Sequence, residues 1–278
     1  MRFTKMHGTG NDFVIMDVRA TSIDQPTPLA RAICDRRRGV GADGLILIAH
    51  AEQAAARMHI YNADGSRAQM CGNGLRCVAK YLFDRRFATG ASFAIETDDG
   101  VKTAKCDIEA DKVVRVRIDV GKPRFEMTDS EVLPDGGEMI DREIDVGPRP
   151  WTMTCVSMGN PHAVMFVDSL DSVALQVHGP AIEHHVLFPQ RINVHFVQVL
   201  DDANAKVLTW ERGSGATQAC GTGMSAVCAA GARTGRTRRR LTTFVPGGRL
   251  DLEWTADDHM FLTGDAVEVF TGEWCPAN

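Results

Sequence analysis

Nowhere in the 278 residues do two cysteines stand at the Cys-x₂₋₄-Cys spacing of a zinc site or a redox motif. A metal site and a thiol–disulfide oxidoreductase therefore both have little to rest on. The eight cysteines are scattered along the chain rather than packed as in a small secreted scaffold. Excess positive charge is also missing: the formal net charge is −5, which gives no support to nucleic-acid binding. The two short arginine runs, Arg36 to Arg38 and Arg236 to Arg240, read as solvated loop or helix ends. No apolar run approaches the length of a membrane span. The stretch Met1-Arg2-Phe3-Thr4-Lys5-Met6-His7-Gly8 has no signal-peptide core. A cytoplasmic, reduced protein without membrane or nucleic-acid partners is the expectation.

What is present is globular material. A hydrophobic content of 44% with 24% charged residues excludes a disordered chain, and the length suffices for two domains. Two stretches stand out, Met70-Cys71-Gly72-Asn73-Gly74 and Ala219-Cys220-Gly221-Thr222-Gly223. Each reads Cys-Gly-X-Gly and runs into a helix-like segment, Leu75 to Phe87 and Met224 to Ala232. Both segments are rich in apolar or small residues, so each helix belongs in a core. Each cysteine then sits at a buried helix N-terminus, where free N–H groups and the helix dipole favour a thiolate and can hold a substrate carboxylate.

The two stretches are also copies. The offset from Cys71 to Cys220 carries Gly10-Asn11 onto Gly159-Asn160, Gly44 onto Asn193 and Asn62 onto Glu211. It also carries the apolar run Leu45-Ile46-Leu47-Ile48 onto Val194-His195-Phe196-Val197. Several coincidences at one ungapped offset indicate an internal duplication. The expected fold is α+β, with two pseudo-symmetric domains over 1–120 and 121–265. Segment 266–278 is a candidate to complete the first. Each domain reads as mostly antiparallel strands, barrel-like, around one central helix. The Pro-, Gly- and acid-rich residues 121 to 150 are expected to carry the crossing between halves. Facing halves would put a thiol on each side of one cleft.

Residues Gly39 to Gly44 match the dinucleotide pattern G-x-G-x-x-G, which needs a strand before it and a helix after. Here a helix-like segment precedes and the strand Leu45 to Ile48 follows. A glycine-rich helix-to-strand turn is the reading that remains.

Two thiols flanking one carboxylate pocket suit inversion at an α-carbon. One sulfur removes the proton from one face while the other returns a proton to the opposite face. The pair titrates as a unit. Helix N-termini at the carboxylate would supply the electrostatic stabilisation that a cofactor usually provides. No lysine context suggests pyridoxal phosphate, so no cofactor is expected.

These motifs, with His7-Gly8-Thr9-Gly10-Asn11-Asp12-Phe13, Asn62-Ala63-Asp64-Gly65-Ser66, Gly159-Asn160-Pro161-His162 and Glu211-Arg212-Gly213, resemble the diaminopimelate epimerase family along nearly the whole chain. The resemblance implies a cofactor-independent isomerase that interconverts LL- and meso-diaminopimelate, on the route to lysine and the peptidoglycan cross-link, as a homodimer. It implies Cys71 and Cys220 as the acid/base pair. Gly72, Asn73, Gly221 and Thr222 would hold the reacting carboxylate. Asn11, Asn62, Asn160, Asn193 and Arg212 would hold the distal amino-acid end, with Arg212 suited to a bidentate contact. Glu211 and His162 would assist near the thiols, Glu211 also contacting substrate. Two positions depart from the family pattern: Gly44 stands where some relatives carry a side-chain amide, and His195 replaces a commoner Asn or Glu. A proline or hydroxyproline racemase of the same fold is the alternative, with no distal end to bind. A thiol–disulfide redox protein ranks below it.

Overall fold

The computed structural model describes residues 1–128, 131–132, 137–147 and 149–275. The chain falls into two compact units: Met1–Asp119 together with the C-terminal stretch from Thr263 on, and Val120–Leu262.

In the first unit, strand Asn11–Asp17 turns back antiparallel on Arg2–Gly8. Helix α1, Pro26–Cys34, then carries the chain to strand Gly44–Ala49, which lies parallel to Asn11–Asp17. A parallel join needs such a crossover, and the helix supplies it. Arg57–Asn62 pairs antiparallel with Gly44–Ala49 and reaches the two-residue strand Arg67–Ala68. Helix α2, Gly72–Asp84, follows, and the hairpins Ser92–Thr97, Gly100–Glu109 and Lys112–Asp119 close the series. The late strand Val267–Glu273 pairs with Arg2–Gly8.

The second unit repeats this path. Arg149–Ser157 and Pro161–Phe166 are antiparallel, helix α3, Leu175–Glu183, crosses over, and Asn193–Asp201 runs parallel to Pro161–Phe166. Asn204–Glu211 is antiparallel to it, Gly215–Ala216 is the short strand, and helix α4, Gly221–Arg233, comes next. Arg240–Val245 and Gly248–Trp254 form the following hairpin. Register repeats as well as order. Phe13 faces Gly44 in the first unit, and His162 faces Asn193 in the second. Leu45 faces Tyr61, and Val194 faces Trp210.

Each central helix touches strands from both ends of its series, so the sheet curls around it. Helix α2 packs on Gly100–Glu109 and Lys112–Asp119, and also on Arg2–Gly8, Asn11–Asp17 and Val267–Glu273. Its Leu75, Val78 and Leu82 are fully buried, each contributing about 1.5–3 kcal/mol. Helix α4 is built from smaller residues, Ala226, Ala229, Ala230 and Gly231 among them, with Met224 and Val227 as its large apolar contacts.

Both helices start three residues before the apolar run that marks them in the sequence. Cys71 and Cys220 are the N-caps, with extended backbones at φ −144° and −121°. A second difference lies within 121 to 150. That stretch holds more than a crossing, because Arg142–Val146 pairs antiparallel with Arg149–Ser157. Ile144 and Val146 point inward, and acidic neighbours between them hide the alternation. Residues 129–130, 133–136 and 148 of this stretch lie outside the described residues, as do 276–278 of the expected C-terminal segment.

Candidate active site

The site residues lie in two groups, one in each unit. In the first unit the His7–Asn11 turn sits against the start of α2. A Cβ on Gly8 would meet the Asn73 carbonyl oxygen at 2.9 Å and the Arg76 guanidinium at 3.1 Å, so only glycine fits this approach. The turn delivers Asn11 to the cysteine. Asn11 Oδ1 lies 3.8 Å from Cys71 Sγ and accepts from Asn73 Nδ2 at 3.1 Å. The other end of the amide is fixed too, with Nδ2 donating to Asp43 Oδ2 at 2.7 Å. Asp12 anchors the base of the turn through Lys5 and Arg36, which together hold its carboxyl down at about 2 against the opposing effect of burial.

The first helical hydrogen bond of α2 runs from Leu75 N–H to Cys71 O, so the amides of Gly72, Asn73 and Gly74 precede the ladder. Asn62 lies two strands over from the Asn11 turn, opposite Gly44, which in turn pairs with Phe13. It is exposed at the end of its strand, where Nδ2 donates to Ser66 Oγ at 2.9 Å across the turn.

The second unit gathers more of the expected residues. Cys220 is buried, and its Sγ lies 3.7 Å from Thr222 Oγ1. Burial pushes the Cys220 thiol well above its ordinary range, and the facing Glu211 carboxylate pushes it further. The Gly223 N–H and the Thr222 hydroxyl pull the other way and do not prevail. At Cys220, loss of water and a neighbouring carboxylate favour the thiol over the thiolate, against the pull of the helix-end amides.

Burial depresses the His162 imidazole most, His195 next, and Arg212 lies close enough for its guanidinium to add to the shift. Asn193 is buried, with both ends of its amide engaged: Nδ2 donates to Pro161 O at 2.9 Å and Oδ1 accepts from Arg212 N at 3.0 Å. It ties the Asn160–His162 strand to the Arg212 turn. His162 Nε2 is 3.0 Å from Asn160 Oδ1.

Two residues escaped the sequence reading. Arg76 is fully buried in α2, where its Nη2 donates to Thr9 Oγ1 at 2.9 Å and its Nε donates to Asp265 O at 3.0 Å. It places a cation near Cys71, with the Asp265 carboxylate close enough to favour its charge. An arginine one turn before Lys80, within the apolar stretch Leu75 to Val78, was the available signal. Glu183, at the end of α3, accepts from Gly213 N at 2.9 Å and Trp210 Nε1 at 2.7 Å, bracing the turn that carries Arg212. Its burial depends on partners distant in sequence, and no local pattern announces it.

Among the described residues no cluster of three or more His, Cys, Asp or Glu side chains is placed to hold a metal. No helix among them is long and apolar enough to cross a membrane. A cavity of about 850 Å³ in the first unit, lined by Phe3, Ile15, Tyr81, Arg85 and Phe87, contains none of the candidate site residues.

The sequence profile of the diaminopimelate epimerases matches residues 3–126 and 154–269. The chain belongs to the diaminopimelate epimerase family. It is 45% identical to the diaminopimelate epimerase of Moorella thermoacetica, over 99% of both chains. It is 42% identical to that of Methanococcus maripaludis, over 98% of this chain and 99% of the other. Among solved structures it is similar to a Bacillus anthracis phenazine biosynthesis protein of the PhzF family, with a TM-score of 0.73 at 17% identity over 99% of both chains. It is also similar to a probable proline racemase of Agrobacterium radiobacter, with a TM-score of 0.71 at 16% identity over 99% of this chain and 92% of the other. At such low identity these structures show the shared fold of the diaminopimelate epimerase family and its neighbours, mostly strands with a helix at the centre of each unit.

Proposed function

We propose that the chain is an isomerase of diaminopimelate, interconverting the LL and meso forms by moving the α-proton between Cys71 and Cys220 without a cofactor. The observation that carries this reading is the paired placement of the cysteines, each the N-cap of a buried helix in one of two duplicated frames. In one direction Cys71 takes the α-proton and Cys220 delivers its own to the opposite face. In reverse the roles exchange, so sulfur protonation at the end of each turnover mirrors that at the start.

The upward shift of the Cys220 thiol supports its part as the donor, and the Glu211 carboxylate beside it favours the protonated sulfur. The amides of Gly72, Asn73, Gly221 and Thr222 hold the reacting carboxylate, where they stabilise charge that develops as the α-carbon loses its proton. Asn11, Asn62, Asn160 and Arg212 hold the distal amino-acid end. Asn193 serves it by fixing the Arg212 backbone, and His162 by fixing Asn160.

The product would feed lysine and peptidoglycan precursor synthesis in the cytoplasm. The enzyme works as a homodimer in this reading. Support for pairing comes from strand Val267–Glu273, which leaves Val269 54% and Phe270 48% exposed.

A proline-type racemase would leave Arg212 and the asparagines without a ligand group to hold. The test is direct: purified, reduced protein should interconvert LL- and meso-diaminopimelate with nothing added and leave proline untouched. Dependence on pyridoxal phosphate, or turnover of proline instead, would overturn the assignment.

A further inference from the structure

Behind Asn160 lies a file of three side chains. Thr209 Oγ1 is 3.0 Å from His195 Nδ1, His195 Nε2 is 2.9 Å from His162 Nδ1, and His162 Nε2 is 3.0 Å from Asn160 Oδ1. Both rings are 0% exposed. They lie on neighbouring parallel strands, with His162 facing Asn193 and Val164 facing His195, so the two imidazoles stand on the same face of the sheet. The His195 ring is also wedged against the reacting helix. A Cβ on Gly223 would fall on it, and Gly223 is in the first turn of α4, three residues from Cys220.

With Asn160 Oδ1 as the atom facing His162, hydrogen-bond chemistry gives this file one direction. Two ring nitrogens at 2.9 Å cannot both carry protons, so at least one imidazole is neutral at the contact. Burial favours the neutral form of both, depressing His162 and bringing His195 down to about 3. A neutral imidazole has one N–H and one lone pair. Asn160 Oδ1 only accepts, so His162 Nε2 carries the proton and His162 Nδ1 is a lone pair. His195 Nε2 must then donate, and His195 Nδ1 accepts from the Thr209 hydroxyl. The file ends on the amide oxygen of Asn160. Its Nδ2 is turned away, with no partner among the described residues.

We propose that His195 is a positioning residue that, through His162, locks the Asn160 amide with its nitrogen presented to a carboxylate oxygen of the substrate. The proposal rests on the reading of Asn160 as a substrate contact. An aliphatic residue at 195 would leave His162 Nδ1 without a donor. The ring could then take either tautomer, and the amide could be held either way round.

Imidazole ¹⁵N NMR on the substrate-free protein tests the file independently of the reaction. Both rings should show a protonated Nε2 and an unprotonated Nδ1, with scalar coupling from the His195 Nε2–H across to His162 Nδ1. An Nδ1-protonated tautomer or a cation at either ring at pH 7 would overturn the proposal. Kinetics supply the second arm. His195→Leu should raise KM for diaminopimelate about tenfold, the effect of one hydrogen bond to a charged group, with kcat within about threefold. His195→Gln can donate to His162 and accept from Thr209, and should keep KM within about threefold of the parent. Equal KM values for the Leu and Gln variants would contradict the lock.

Discussion

His162 and His195, sealed from water, make the second unit sensitive to acid. His195 titrates at about 3 in the folded chain, against an ordinary 6.5 when unfolded. Between these values the unfolded chain binds the extra proton, so acid favours unfolding. The contribution is fully present above about pH 6.5 and drains away as pH falls toward 3, with a limiting slope of about 1.4 kcal/mol per pH unit. Urea midpoints measured from pH 8 to pH 4 should therefore fall more steeply for the parent than for His195→Gln. Parallel curves would remove the buried neutral histidine from the account. Cys220 shows the same balance at a thiol. The sequence makes its place at a helix start visible, whereas the carboxylate facing it is nine residues away in the chain and on another element. Position along a helix can be read from a string of residues, but burial and distant charges cannot.

At the scale of elements, α2 and α4 are legible because Cys-Gly-X-Gly precedes a run rich in apolar or small residues. Their first turns were not, since glycine and asparagine have poor helix propensity and only tertiary contact makes them helical. Strand Arg142–Val146 was obscured for a different reason, its inward residues being only Ile144 and Val146. The glycines of the helix starts do more than permit a tight turn. Gly223→Ala would drive a methyl group into the His195 ring, which is backed by His162 and Thr209 and cannot retreat. Overpacking of this kind should cost about 1–3 kcal/mol, read as a lowered urea midpoint at unchanged m-value. An unaffected midpoint would mean that the ring is not clamped there.

Across the whole molecule, duplication is the most legible feature. One ungapped offset in the sequence reappears as repeated element order and repeated strand register in the two units. What the offset cannot reveal is the surface used for pairing, because exposed apolar residues on a strand carry no periodic mark of a partner. If Val267–Glu273 forms the dimer contact, Phe270→Asp should shift the protein from dimer to monomer in sedimentation experiments. A dimer of undiminished stability would place the contact elsewhere.

In the proposed mechanism two sulfurs serve opposite faces of one carbon. The decisive measurement is the distribution of solvent deuterium during the first turnovers of LL-diaminopimelate in heavy water, with reduced protein and no added cofactor. Two bases predict that the meso product carries deuterium at the inverted carbon while recovered LL substrate does not, because the abstracted proton stays on the sulfur that removed it. Equal labelling of substrate and product from the outset would point to a single base reaching both faces, and would contradict the pairing of Cys71 with Cys220.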